Sequence, residues 1–162
     1  AVKILRQMEA FNLESIEQPV PAYDIDGMKR VADALDTPIM ADESVFNLQD
    51  GFRVISHRAA DIVNIKVGKV GGLLPSKKIA ALAQSANIPC TIGSNLELGI
   101  GTSASLHFGL STPNILYPCD LAIGPFLHQE EIIDPSFELL DGKIDPMEGP
   151  GLGVQLRRTL KR

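Results

Sequence analysis

The 162 residues predict an α/β protein built from parallel βα units, of the barrel type. Three observations predict it. Short apolar runs alternate with amphipathic stretches of helical period. Each run ends in a polar residue followed at once by a loop. Those polar ends, Glu17, Asp42, Lys66, Glu97 and Asp120, lie 25, 24, 31 and 23 residues apart, close to one βα unit per step. Parallel strands joined by helical crossovers bring all their C-terminal ends to one side, more completely in a barrel than in a doubly wound sheet.

The chain opens on a helical pattern over residues 1–12, with Val2, Leu5, Met8 and Phe11 expected along one face. It has neither an initiator Met nor a preceding cap, which is the expectation for part of a longer chain. Strands are expected at 15–17, 38–42, 62–66, 89–93 and, less regularly, 115–120. Between them, Ile25, Met28, Val31, Ala32 and Leu35 mark one helix face, and Leu48, Phe52 and Ile55 the next, capped by Asn47. Residues 73–86 and 100–111 supply two more helices. After Asp120 the period stops. Residues 137–144 read as a hairpin turning at Asp141-Gly142, and a Gly-rich run follows over 148–154. The expected division is a partial barrel over 1–125 and a tail over 126–162.

A net charge of −5 with both signs interspersed argues against nucleic acid or an anionic membrane as partner. Cys90 and Cys119 are not in CxxC spacing, and no apolar run approaches the roughly 20 residues that span a bilayer. A cytoplasmic location is expected.

Glu17, Asp42 and Lys66 end three successive strands, which places two carboxylates and an amine around the barrel mouth. Carboxylate oxygens there suit Mg²⁺. A lysine acting as base must be neutral, and a nearby divalent cation would favour that form. Taken singly, each residue also fits a bland role: a cap, a surface ion pair, or a lysine reaching solvent.

The segments Ile16-Glu-Gln-Pro-Val-Pro21, Pro38-Ile-Met-Ala-Asp-Glu-Ser44 and Ala60-Asp-Ile-Val-Asn-Ile-Lys-Val-Gly-Lys-Val-Gly-Gly72 resemble the fourth, fifth and sixth barrel strands of the enolase superfamily, muconate-lactonizing subgroup. The resemblance continues through Ile100-Gly-Thr-Ser-Ala-Ser-Leu-His107 and Gly149-Pro-Gly-Leu-Gly-Val154. It implies the C-terminal part, about strands 4–8, of a TIM-type (β/α)7β barrel, plus a tail that packs on the barrel and on a capping domain.

It further implies that Glu17 and Asp42 are metal ligands for Mg²⁺ or Mn²⁺, and that Lys66 is the acid/base on the sixth strand. Lys69 reads as structural. Such enzymes remove the proton α to a carboxylate while the metal neutralises the enediolate. Ser94-Asn-Leu-Glu-Leu-Gly-Ile-Gly101 resembles the seventh-strand segment and puts Asn95 and Glu97 toward substrate, although Glu97 equally suits a helix cap. Asp120 falls where the subgroup carries an acid on the eighth strand, shorter than the usual Glu. Ala122 stands where dipeptide epimerases have a second Asp. No histidine ends a strand, unlike the mandelate-racemase pattern. The first metal ligand and a Lys-x-Lys pair would lie before Ala1.

The expected function is cycloisomerisation like that of muconate cycloisomerase on a small carboxylate substrate, by a homo-oligomer of the full-length protein. Racemisation or epimerisation of amino-acid derivatives, o-succinylbenzoate synthesis, and dehydration of acid sugars or hydroxyproline share the same first step. A reading from another class is a barrel fragment that binds without turnover.

Overall fold

The computed structural model describes residues 1–121 and 127–157. A helix α1 (Val2–Met8) runs into a 3₁₀ turn (Glu9–Phe11). Then β1 (Ile16–Glu17), α2 (Ile25–Ala32), β2 (Ile39–Ala41), α3 (Leu48–Ser56), β3 (Ile62–Ile65), α4 (Leu73–Ser85), β4 (Cys90–Ile92) and α5 (Gly99–Leu110) alternate. The four strands form one parallel sheet in sequence order. Ile16 pairs with Ile39, Met40 with Ile62, and Val63 with Cys90.

Every residue of β2, β3 and β4 is buried. That is why these strands read as continuous apolar runs rather than alternating ones. Ile39, Ile62, Ile65 and Ile92 are fully enclosed, and each such side chain contributes about 1.5–3 kcal/mol of burial free energy. α2 covers the sheet as its face predicts, burying Ile25, Met28 and Val31. α3 is capped as expected by the Asn47 side chain, which accepts from Asp50 N at 2.9 Å, but its expected face is not the buried one. Gly51 and Val54 turn inward, Gly51 letting the helix pack close to Val45 and Ile79, so Leu48 and Phe52 are exposed and Ile55 is half-buried.

A fifth parallel segment continues the sheet beyond β4. Cys90 N donates to Asn114 O, Leu116 N to Cys90 O, and Asp120 N to Ile92 O. Between the last two bonds β4 advances two residues and its neighbour four, so the neighbour bulges. Pro118 sits in this bulge, where its lack of an N–H costs nothing, and its carbonyl accepts from Thr91 Oγ1 at 2.9 Å. The strand expected at 115–120 is therefore present only as an irregular edge.

The opening helix departs from expectation. Val2 and Leu5 pack partly against the core, but Met8 is 40% and Phe11 77% exposed. A strict three-residue spacing drifts around a 3.6-residue helix, and the 3₁₀ turn with left-handed Asn12 (φ 53°) carries Phe11 further out.

The tail docks on α5. A short antiparallel pair, β5 (Ile133–Asp134) with β6 (Gln155–Leu156), fully buries Ile133. The Glu131 carboxylate accepts from Gly99 N, with both oxygens at 3.0 Å, and so caps the start of α5, which has no local side-chain cap. Ser103 Oγ donates to Leu152 O in the Gly-rich run. Leu140 and Lys143 exchange backbone bonds around Asp141-Gly142, both at positive φ, as the predicted tight turn requires. The boundary expected at 125/126, and Ala122, lie outside the described residues. No helix among the described residues is long and apolar enough to cross a membrane.

Candidate active site

Parallel pairing sends the C-terminal ends of β1, β2 and β3 to one edge of the sheet, and there Glu17, Asp42 and Lys66 converge as expected. Lys66 Nζ donates to Asp42 Oδ2 at 2.5 Å. Glu17 is reached by Asn64, whose Nδ2 donates to Glu17 Oε1 at 2.7 Å. Asn64 and Lys66 lie two apart at the end of β3, so the strand period points both the same way.

Lys69 belongs to this cluster too. Its Nζ donates to Asp42 Oδ1 and to Asp42 O, both at 2.6 Å, and lies 3.3 Å from Asn64 O. Asp42 thus carries one ammonium on each carboxylate oxygen. Gln18, in a left-handed conformation (φ 40°), fixes the backbone around it. Its Oε1 accepts from Asp42 N at 3.0 Å and Ser44 N at 3.1 Å, while its Nε2 donates to Ser44 Oγ at 2.8 Å.

The charges follow from these contacts. Burial works against ionising Asp42, but the hydrogen bonds and charges of Lys66 and Lys69 hold its pKa below the usual carboxylate range. Burial likewise disfavours the Lys66 ammonium, yet Asp42, Glu17 and Glu43 together raise its pKa. For the more deeply enclosed Lys69, burial outweighs Asp42 and the pKa falls. Lys66 therefore stands in its acid form, hydrogen-bonded to Asp42.

Space for Lys66 is made by Gly93, just beyond β4. A Cβ there would lie 2.8 Å from Lys66 Cε and 2.6 Å from Asn64 Oδ1. That Asn64 oxygen is buried and has no partner among the described residues.

Asp120 stands at the end of the fifth segment, but Glu97 does not end a strand as expected: β4 stops at Ile92, and Asn95 and Glu97 lie in the loop that leads to α5. No hydrogen bond or ion pair among the described residues joins these three to Glu17, Asp42 or Lys66. Glu97 Oε2 closes its own loop, accepting from Ser94 Oγ at 2.6 Å and Asn95 N at 2.9 Å. Its Oε1 is buried and has no partner among the described residues. Asn95 is exposed, with its amide beside Gly68 in the loop that follows Lys66. Asp120 is exposed at the end of the fifth segment. None of the histidines enters the cluster: His57 caps α3, His107 Nε2 lies 3.2 Å from Leu152 O, and His128 Nε2 lies 3.1 Å from Leu96 O.

Sequence reasoning missed Gln18, Asn64 and Gly93 and set Lys69 aside. The strand period alone would have flagged Asn64; nothing local signals Gln18 or Gly93.

Glu17 and Asp42 offer only hard oxygen donors on adjacent strand ends, which fits Mg²⁺ or Mn²⁺. Asp42 already gathers two cationic groups. No group of three or more His, Cys, Asp or Glu side chains able to hold a metal occurs among the described residues. This chain would thus supply two ligands, leaving the remaining positions to water and to groups outside it.

Comparison with known proteins bears on the family and the fold. The family model described as enolase C-terminal domain-like matches residues 1–160. The L-Ala-D/L-Glu epimerase of Bacillus subtilis is 38% identical over 95% of this chain and 42% of its own length. Muconate cycloisomerase 1 of Rhodococcus opacus is 36% identical over 96% of this chain and 42% of its own. Among solved structures, the substrate-liganded B. subtilis epimerase superimposes with a TM-score of 0.88 at 38% identity, covering 94% of this chain and 43% of that one. The muconate lactonizing enzyme of Pseudomonas fluorescens complexed with muconolactone gives 0.91 at 33% identity, covering 96% and 42%. The chain spans less than half the length of these relatives. A family match across nearly the whole chain and these identities lead to one conclusion: the chain belongs to the enolase C-terminal domain-like family.

Proposed function

We propose that the complete protein abstracts the proton α to a carboxylate with the help of Mg²⁺ or Mn²⁺, and that Lys66 moves that proton. The observation that carries this reading is the convergence of Lys66 with Asp42 at 2.5 Å, on the same sheet edge as Glu17.

Glu17 and Asp42 would hold the cation. When bound, it would supply electrostatic stabilisation of the negative charge that develops on the substrate carboxylate. Lys66 would do the proton chemistry at Nζ. As the ammonium on Asp42 it can return a proton; to take one it must give up that hydrogen bond and become neutral, which follows once the Asp42 charge is committed elsewhere. Lys69 keeps a second positive charge beside Asp42, which opposes recharging of Lys66. Asn64 orients Glu17, and Gly93 keeps the path of the Lys66 side chain open. Asn95, Glu97 and Asp120 would line the substrate side.

The substrate is a small carboxylate. Cycloisomerisation of muconate is the first candidate. Epimerisation of an alanyl-glutamate dipeptide has equal support, since the B. subtilis epimerase is 38% and the R. opacus cycloisomerase 36% identical to this chain. Both pass through the same kind of enolate: epimerisation forms it by removing the α-proton, whereas lactonisation of muconate forms it when one carboxylate adds to the double bond, and the carbon α to the other carboxylate is then protonated. The complete protein should act in the cytoplasm as a homo-oligomer. The test is product formation by the complete protein from muconate and from L-Ala-L-Glu, with and without a chelator. Chelator-sensitive turnover of one of them supports the reading. If neither is turned over and no small carboxylate exchanges its α-proton, the reading is wrong.

A further inference from the structure

Two lysines share one carboxylate here, and their surroundings differ. Lys69 has three acceptors, Asp42 Oδ1, Asp42 O and Asn64 O, one for each of its N–H groups. Two of these are backbone carbonyls at the ends of neighbouring strands and cannot turn away. Its side chain is 5% exposed, and its ammonium lies 5.8 Å from the centroid of the Phe46 ring. Among the described residues Lys66 has a single partner, Asp42 Oδ2, and its side chain is 18% exposed.

We propose that Lys69 is a positioning residue: it holds Oδ1 of Asp42 permanently, so that Oδ2 alone is offered to a divalent cation, and it is Lys66 that yields its place. The inference rests on the reading of Asp42 as a cation ligand. Pulling Lys69 off Asp42 would strand a buried ammonium between carbonyls, a severe penalty. Lys66 can move along the space kept by Gly93 and keep contact with solvent. Gln18 grips the Asp42 backbone from the β1 side while Lys69 grips it from the β3 side, so the carboxylate has little freedom left. One contact set thus fixes the ligand and frees the acid/base lysine.

The test uses the complete, unmutated protein crystallised with and without Mn²⁺. With the ion, Lys69 Nζ should remain within hydrogen-bond distance of Asp42 Oδ1 and O, the ion should sit on Oδ2, and Lys66 should have left it. An ion on Oδ1, or on both oxygens with Lys69 displaced, overturns the inference. In solution, Lys69→Met should weaken Mn²⁺ binding by about 10–100-fold, as loss of a residue that orients a ligand does, while Lys66→Met, which removes the group the cation displaces, should not weaken it. Wild-type affinity in Lys69→Met overturns the inference while leaving Asp42 as a ligand. Asp42→Ala separates the two claims: if it binds Mn²⁺ as tightly as the wild type, the site reading itself has failed. Should Lys69→Met not fold, the wild-type crystal structures decide alone.

Discussion

Asn64 reaches past the whole of β2 to hold Glu17: its Nδ2 donates to Glu17 Oε1 at 2.7 Å, although β1 and β3 are not hydrogen-bonded neighbours. The contact ties a proposed cation ligand to the strand that carries the proposed acid/base lysine. Removing it by Asn64→Ala should lower divalent-cation affinity and kcat/KM of the complete protein by about 10–100-fold, with the circular dichroism spectrum unchanged. Calorimetric titration with Mg²⁺ checks this; unaltered affinity would show that Glu17 needs no such support.

Gly93 gives a steric prediction. An alanine there places its Cβ 2.8 Å from Lys66 Cε and within 2.7 Å of the Asn64 amide, closer than packed carbons tolerate. Lys66 must shift, and displacements near 1 Å at reacting groups cost on the order of 100-fold in rate. Gly93→Ala should therefore lose kcat far more than it raises KM in steady-state assays. Equal kcat for variant and wild type would mean that Lys66 is not confined by this wall.

Glu17, Asp42 and Lys66 were legible because each closes an apolar run, and parallel strands leave little choice about where such residues meet. Asn47 as a cap and Asp141-Gly142 as a turn were legible because their chemistry is local. The Lys69 contact was not: its position four residues beyond β3 depends on the path of the loop up to Gly71 and Gly72, both at positive φ. The Asn64 to Glu17 bond depends on the stagger of three strands, and the Glu131 cap on α5 comes from 32 residues downstream. Phe11 was placed on a buried face by a spacing that the 3₁₀ turn breaks.

Glu9 supplies a pH-dependent tie between the opening helix and the sheet. Its Oε1 accepts from Thr37 N at 2.9 Å, Asp36 N at 2.7 Å and Thr37 Oγ1 at 3.1 Å. These bonds, the Thr37 amide first, hold its pKa below the usual glutamate value. A carboxylate with a depressed pKa in the folded state stabilises the fold above its unfolded pKa, and that contribution is lost as pH falls through the folded one. Glu9→Gln should thus have a lower urea midpoint than the wild type at neutral pH. The gap should close below about pH 4. A gap that persists unchanged in acid would assign the effect to shape rather than charge.

Proton transfer by Lys66 is tested most directly by deuterium uptake at the α-carbon of a turned-over carboxylate, followed by NMR in D₂O with the complete protein and its Lys66→Ala variant. The variant should exchange at least about 10²–10⁴-fold more slowly while binding Mg²⁺ with near wild-type affinity. Exchange at the wild-type rate in Lys66→Ala would contradict the assignment of proton transfer to this residue.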